Sequence, residues 1–143
     1  MSAPAFPLTP QERSMRKQYH FRRSPQGLCA WDVDRLVRLS RELAVERVPL
    51  SAIRELDEPY WAGGENQKLT CREITDHARL MQECDLRFPV ILSSDGRVMD
   101  GMHRICKALL ESRSEIEAVR FDHDPEPDYV GVDPDDLPYP EQA

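Results

Sequence analysis

Residues 88–104 read Phe88-Pro89-Val90-Ile91-Leu92-Ser93-Ser94-Asp95-Gly96-Arg97-Val98-Met99-Asp100-Gly101-Met102-His103-Arg104, and this stretch decides the fold. Phe88 to Leu92 is a continuous apolar run of strand length, the pattern of a strand covered on both faces, so it predicts the centre of a sheet. Ser93-Ser94-Asp95-Gly96 is turn chemistry. Arg97-Val98-Met99 then predicts a short returning strand, and Asp100-Gly101 a second sharp break. From Met102 the apolar spacing becomes helical as far as about Glu111, with Ile105, Ala108 and Leu109 on the buried face. A hairpin that passes through a glycine into a helix start belongs to an α+β fold, a small mixed β-sheet with packed helices.

Working outward, Ser112-Arg113-Ser114 leads into an expected strand from Ile116 to Phe121. Upstream, Thr70 and Glu73 fit the capping-box pattern, in which each side chain satisfies an unpaired backbone N–H, and predict a helix from Cys71 to about Cys84. Ile74, His77, Ala78 and Met81 share one face of it. His77 there reads two ways, as a ligand or base, or as a core-facing histidine with one ring nitrogen hydrogen-bonded. Asp32 is a good N-cap for a helix carrying Val33, Leu36, Val37 and Leu43 in one stripe to about Ala44. Val45 to Ile53 predicts a short strand and its exit; Pro49 removes a ladder donor, so this strand is at an edge or interrupted there. Residues 54–69, with Glu55, Asp57, Glu58, Tyr60, Trp61 and the Gly63-Gly64 pair, lack periodicity and predict a long loop.

A chain of 143 residues suits a single domain. Its expected parts are an N-terminal arm over 1–31, a helix over 32–44, a core over 45–121 and an acidic, proline-rich tail over 122–143, extended or disordered. No stretch approaches the ~20 apolar residues of a membrane span, and no apolar block resembles a secretory signal, so a soluble, cytoplasmic protein without membrane partners is expected. Cys29, Cys71, Cys84 and Cys106 show no CxxC pair, which makes reduced thiols the default. The net charge is -7, but residues 122–143 alone hold eight acids and no Lys or Arg; without those eight, 18 acids face 19 bases. A local basic patch is therefore compatible with the composition, and Arg13, Arg16, Lys17, Arg22 and Arg23 form one candidate cluster.

Asp100 to Arg104 carries the chemistry. A helix N-terminus offers unpaired N–H groups and about half a unit of positive charge, so anions settle there. Gly101 allows a close backbone approach, Met102 begins the helix, and His103 and Arg104 add side-chain donors in its first turn. Lys107 adds a charge one turn on. Asp100 repels a phosphate directly but holds one through Mg²⁺, which prefers carboxylate, water and phosphate oxygens. The alternative is purely structural: Asp100 caps the helix, Gly101 makes the turn and Arg104 pairs with a surface acid. The residues alone leave both readings open.

The run Phe88 to Leu92, the segment Asp95 to Arg104 and the helix after it resemble the core of ParB/sulfiredoxin-like domains, roughly over Val45 to Phe121. Val48-Pro49-Leu50-Ser51-Ala52-Ile53 is similar to the strand that opens those domains. The resemblance implies a nucleotide-phosphate site at Gly101, Met102, His103 and Arg104. It also departs from known members. Sulfiredoxins place a catalytic cysteine where this chain has Met102, a thioether that forms no thiolate, so sulfiredoxin activity is not expected. Partition proteins of the ParB type continue into a helix-turn-helix reader, whereas an acidic tail follows here, so sequence-specific DNA binding by this chain alone is not expected.

The Asp-Gly-x-His-Arg form is more similar to free-standing members such as the free serine kinases. That likeness implies ATP, ADP or another nucleotide as cofactor, with Mg²⁺, and a small-molecule phosphotransferase. Such chemistry needs a second acid to orient the acceptor hydroxyl. Glu58 is the candidate among Glu55, Asp57 and Glu58, beside Pro59-Tyr60-Trp61, and gives the catalytic pair Asp100 and Glu58. Tyr60 and Trp61 read either as a stacking wall for a ligand or as core anchors. The rival reading is a non-catalytic nucleotide-sensing or DNA-associated module. A third, metal binding through His103 and Cys106 or His77 and Cys84, lacks a closed set of four ligands.

Overall fold

The computed structural model describes residues 18–62 and 68–139. They form an α+β protein with two small sheets. The chain divides into two compact units, one made of residues up to Leu39 together with those from Pro125 onward, the other of Ser40–Asp124.

In the first unit, β1 (Tyr19–Ser24) and β2 (Gly27–Asp32) form an antiparallel hairpin, and β7 (Tyr129–Val130) pairs with the other edge of β2. The expected arm over 1–31 thus contains two strands; its residues 1–17, including Arg13, Arg16 and Lys17, lie outside the described residues. Arg22, from the same basic cluster, stands over the Trp31 ring at 5.8 Å. The tail, expected extended or disordered, is extended over much of its described length and is held by specific contacts. Trp31, 5% exposed, donates its indole N–H to the Pro125 carbonyl at 2.7 Å, and the Asp128 carboxylate accepts from the Asp32 N–H at 2.7 Å and from Arg35 at 3.2 Å. Leu137 is only 4% exposed. Extended, proline-rich backbone has unpaired carbonyls to offer, and here donors of β2 and the following helix take them. That helix, α1 (Val33–Ser40), starts as expected, with the Asp32 side chain accepting from the Asp34 N–H, but ends short of Ala44.

The second unit is built on a four-stranded sheet ordered β3-β6-β4-β5: β3 (Glu46–Pro49), β6 (Glu115–Arg120), β4 (Val90–Leu92) and β5 (Val98–Asp100). Pro49 closes an edge strand, where a missing donor costs no ladder bond. β4 is interior and all three of its residues are buried, as its unbroken apolar run requires; Phe88, part of that run, is 62% exposed and precedes the strand. β4 runs parallel to β6 and antiparallel to β5. Val90, Leu92, Ile116 and Ala118 face a core completed by Leu50, Ile53, Val98, Met102, Ile105 and Ala108.

Two helices serve this unit, α2 (Cys71–Glu83) and α3 (Met102–Leu110). Both bonds of the capping box are present, Glu73 N–H to Thr70 Oγ1 at 3.1 Å and Thr70 N–H to Glu73 Oε1 at 2.9 Å. Ile105 and Ala108 of α3 are buried as expected, and His77 and Met81 of α2 are half-buried, but single positions on each helix differ. Ile74 is 54% exposed while Leu80 is buried, and Leu109 is 53% exposed while Met102 is buried. A 3₁₀ turn over Leu50–Ala52 forms the exit of the first strand, and another over Arg54–Asp57 lies where the sequence suggested a loop; residues 63–67, with the Gly63-Gly64 pair, lie outside the described residues.

Candidate functional site

The site grows from the end of β5. After Asp100 the backbone turns at Gly101 with φ 111°, a left-handed conformation that side chains disfavour. Space makes the same demand, since a Cβ on Gly101 would lie 2.6 Å from Val90 Cγ1. The glycine therefore lets helix α3 begin directly against the central strand. Among the described residues no side-chain cap closes that start, where a helix carries N–H groups without intrahelical partners.

His103, in the first turn, is held from outside its own helix. Its Nε2 lies 2.8 Å from Nδ1 of His77 on α2, and the Trp61 ring stacks on both imidazoles with centroids 4.1 Å from His77 and 4.7 Å from His103. Tyr60 meets Trp61 edge-on at 5.9 Å. Burial, then His77 and then Arg104 push the His103 pKa down to about 4, and burial lowers that of His77. Both rings are neutral at pH 7, one donating and the other accepting. The loop aromatics are thus neither a free wall nor simple core anchors: Trp61 packs against the core and also fixes the histidine pair.

The charged residues have other duties. One Nη of Arg104 donates to the carbonyls of Phe88 at 2.9 Å and Pro89 at 3.0 Å, and the other reaches the Asp100 carboxylate at 2.8 Å. The guanidinium clamps the approach to β4 to the end of β5, with only 15% of the side chain exposed. Burial pushes the Asp100 pKa up while Arg104 opposes it. Lys107 donates to the carbonyls of Gln82 at 3.1 Å and Cys84 at 2.7 Å, covering the C-terminal end of α2. Both oxygens of Glu58 accept from Arg97 Nη1 at 2.7 Å, so Glu58 and Asp100 belong to two separate ion pairs. Glu55 is the acid that goes inside: 4% exposed, it accepts from the Val98 N–H at 2.8 Å through Oε2, while Oε1 has no hydrogen-bond partner among the described residues.

No family model, no curated protein and no solved structure matches this chain. The site is therefore read from its own geometry.

Gly101, Met102 and His103 converge on the start of α3, while Arg104 and Lys107 stand beside it with their donors engaged. The sequence singled out each of Trp61, His77 and His103, but nothing in their spacing signalled that they meet. A resident Mg²⁺ does not fit the residues present. Asp100 is already neutralised by Arg104, and among the described residues no group of three or more His, Cys, Asp or Glu is placed to hold a metal ion. Burial raises the thiol pKa values of Cys84 and Cys106 and keeps both protonated, unlike metal-binding thiolates. Among the described residues no helix is long and apolar enough to cross a membrane.

Proposed function

We propose that Ser40–Asp124 is a nucleotide-binding domain of the ParB/sulfiredoxin-like type its motif resembles, taking phosphate oxygens on the N–H groups at the start of α3. The observation that carries this reading is the uncapped helix start at left-handed Gly101, with a neutral imidazole fixed in its first turn by His77 and Trp61. A helix terminus supplies N–H donors and positive potential to an anion. His103 supplies a ring that becomes a stronger donor when a phosphate raises its pKa. Arg104 supports the site by holding β4 and β5 in place. Calorimetric titration with ATP, ADP and GTP, for the wild type and for His103→Ala, tests the reading. Binding that weakens at least several-fold in the variant supports it; equal affinity, or no binding by the wild type, refutes it.

The ion pairs of Asp100 with Arg104 and Glu58 with Arg97 favour a sensing module over a Mg²⁺-dependent phosphotransferase. A guanidinium bound to a carboxylate competes with Mg²⁺ for its oxygens. Release of product from ATP in the presence of hydroxylated small molecules would reverse that preference and make the domain an enzyme.

A further inference from the structure

At the far end of β4 from the histidine pair, a cavity of about 370 Å³ opens between β3, the 3₁₀ turns and the β4–β5 hairpin. Gly101 sits against Val90, the first residue of β4, whereas this cavity is lined by Leu92, the last, and by Gly96 of the turn. Its apolar floor is Val48, Ile53 and Leu92. Three guanidinium-bearing residues, Arg47, Arg54 and Arg120, share the lining.

We propose that this cavity binds a compact organic anion, a carboxylate or a phosphate monoester with a short apolar body. The proposal does not depend on the nucleotide reading. A cavity of this size is in the range of small-ligand sites, and its lining sets apolar Val48, Ala52, Ile53 and Leu92 beside charged side chains. Two acids also line it, which leaves one arginine in excess. Asp95 turns its carboxylate to the Ser93 hydroxyl and the Arg97 N–H. Glu46 forms an ion pair with Arg120 at 3.7 Å, with both side chains about half exposed. Arg54 has one donor engaged, on the Asp95 carbonyl at 2.9 Å, and Arg47 makes no ion pair among the described residues. Guanidinium donors beside an apolar floor select an anion with a hydrocarbon portion.

The test is an amide-resolved NMR titration with butyrate, butyl phosphate and, as the neutral analogue, butyramide. The expected result is that butyrate or butyl phosphate shifts the amides of Ala52, Leu92 and Gly96 while butyramide does not. Whichever anion binds more tightly identifies the head group. The Arg54→Gln/Arg120→Gln variant should weaken that binding about tenfold or more, as the loss of a charge-assisted bond requires. Ala52→Phe, which fills the cavity without changing charge, should weaken it as well. Binding retained by both variants, butyramide binding as tightly as butyrate, or an absence of shifts with either anion overturns the proposal. So do shifts confined to Met102 and His103, which place the anion at the start of α3.

Discussion

His77 Nδ1 and His103 Nε2 meet at 2.8 Å, joining α2 to α3 beneath the Trp61 ring. A proton added to the accepting nitrogen removes the acceptor and places charge in a half-buried site, so this contact sets how the protein responds to acid.

Stability should fall between pH 6.5 and pH 4. The folded pKa of His103 is about 4 against an ordinary 6.5. Above 6.5 both folded and unfolded histidine are neutral and the residue contributes nothing to pH dependence. Between the two values the unfolded chain takes up the proton and the folded one does not, so unfolding is favoured as pH drops. The full shift corresponds to about 3 kcal/mol, and partial solvent screening reduces this to on the order of 1–2 kcal/mol. Urea unfolding at pH 7.5, 5.5 and 4.5 should show a steeper decline for the wild type than for His103→Gln. Identical slopes would show that the pair does not couple folding to protonation.

Gly101→Ala should cost about 2–4 kcal/mol, combining the left-handed backbone penalty of ~1–2 kcal/mol with overpacking against Val90. Adding Val90→Ala relieves the contact at 2.6 Å but not the backbone term, and itself opens the core. The two substitutions should therefore be non-additive in thermal melts, with the double variant more stable than the sum of the singles predicts. Strict additivity would mean that the close approach carries no energy.

Arg104→Ala should destabilise the fold by about 2–4 kcal/mol, because it strips donors from two carbonyls and leaves Asp100 partly buried without its partner. The sequence suggested Arg104 as a phosphate donor in the first turn of the helix. Chemical denaturation decides between these roles. A variant with unchanged midpoint but lost nucleotide affinity would restore the ligand role.

Truncation after Asp124 should lower the melting temperature of the first unit by more than about 5 °C. The cut removes the Trp31 acceptor at Pro125, the Asp128 carboxylate, the strand paired to β2 and the buried Leu137. Near-ultraviolet circular dichroism follows the environment of Trp31, and an unchanged melt would mean that these contacts add nothing.

The sequence by itself determined the features whose partners lie within a few residues. Thr70 and Glu73 close a capping box three residues apart, Asp32 caps α1 through Asp34, and Asp100-Gly101 passes into a helix at Met102. The unbroken apolar run around Val90–Leu92 marked the interior strand, and Pro49 an edge, because burial on two faces and a missing donor are written in residue type. Tertiary structure alone decided the rest. Arg104 reaches the Phe88 and Pro89 carbonyls because the β4–β5 hairpin folds back and returns the chain beside the approach to β4. Trp31 finds Pro125 94 positions away, which makes an acidic tail into structure despite its composition. His77 and His103 become a pair only because α2 and α3 bring them within bonding distance, and no local spacing encodes a contact between residues 26 positions apart.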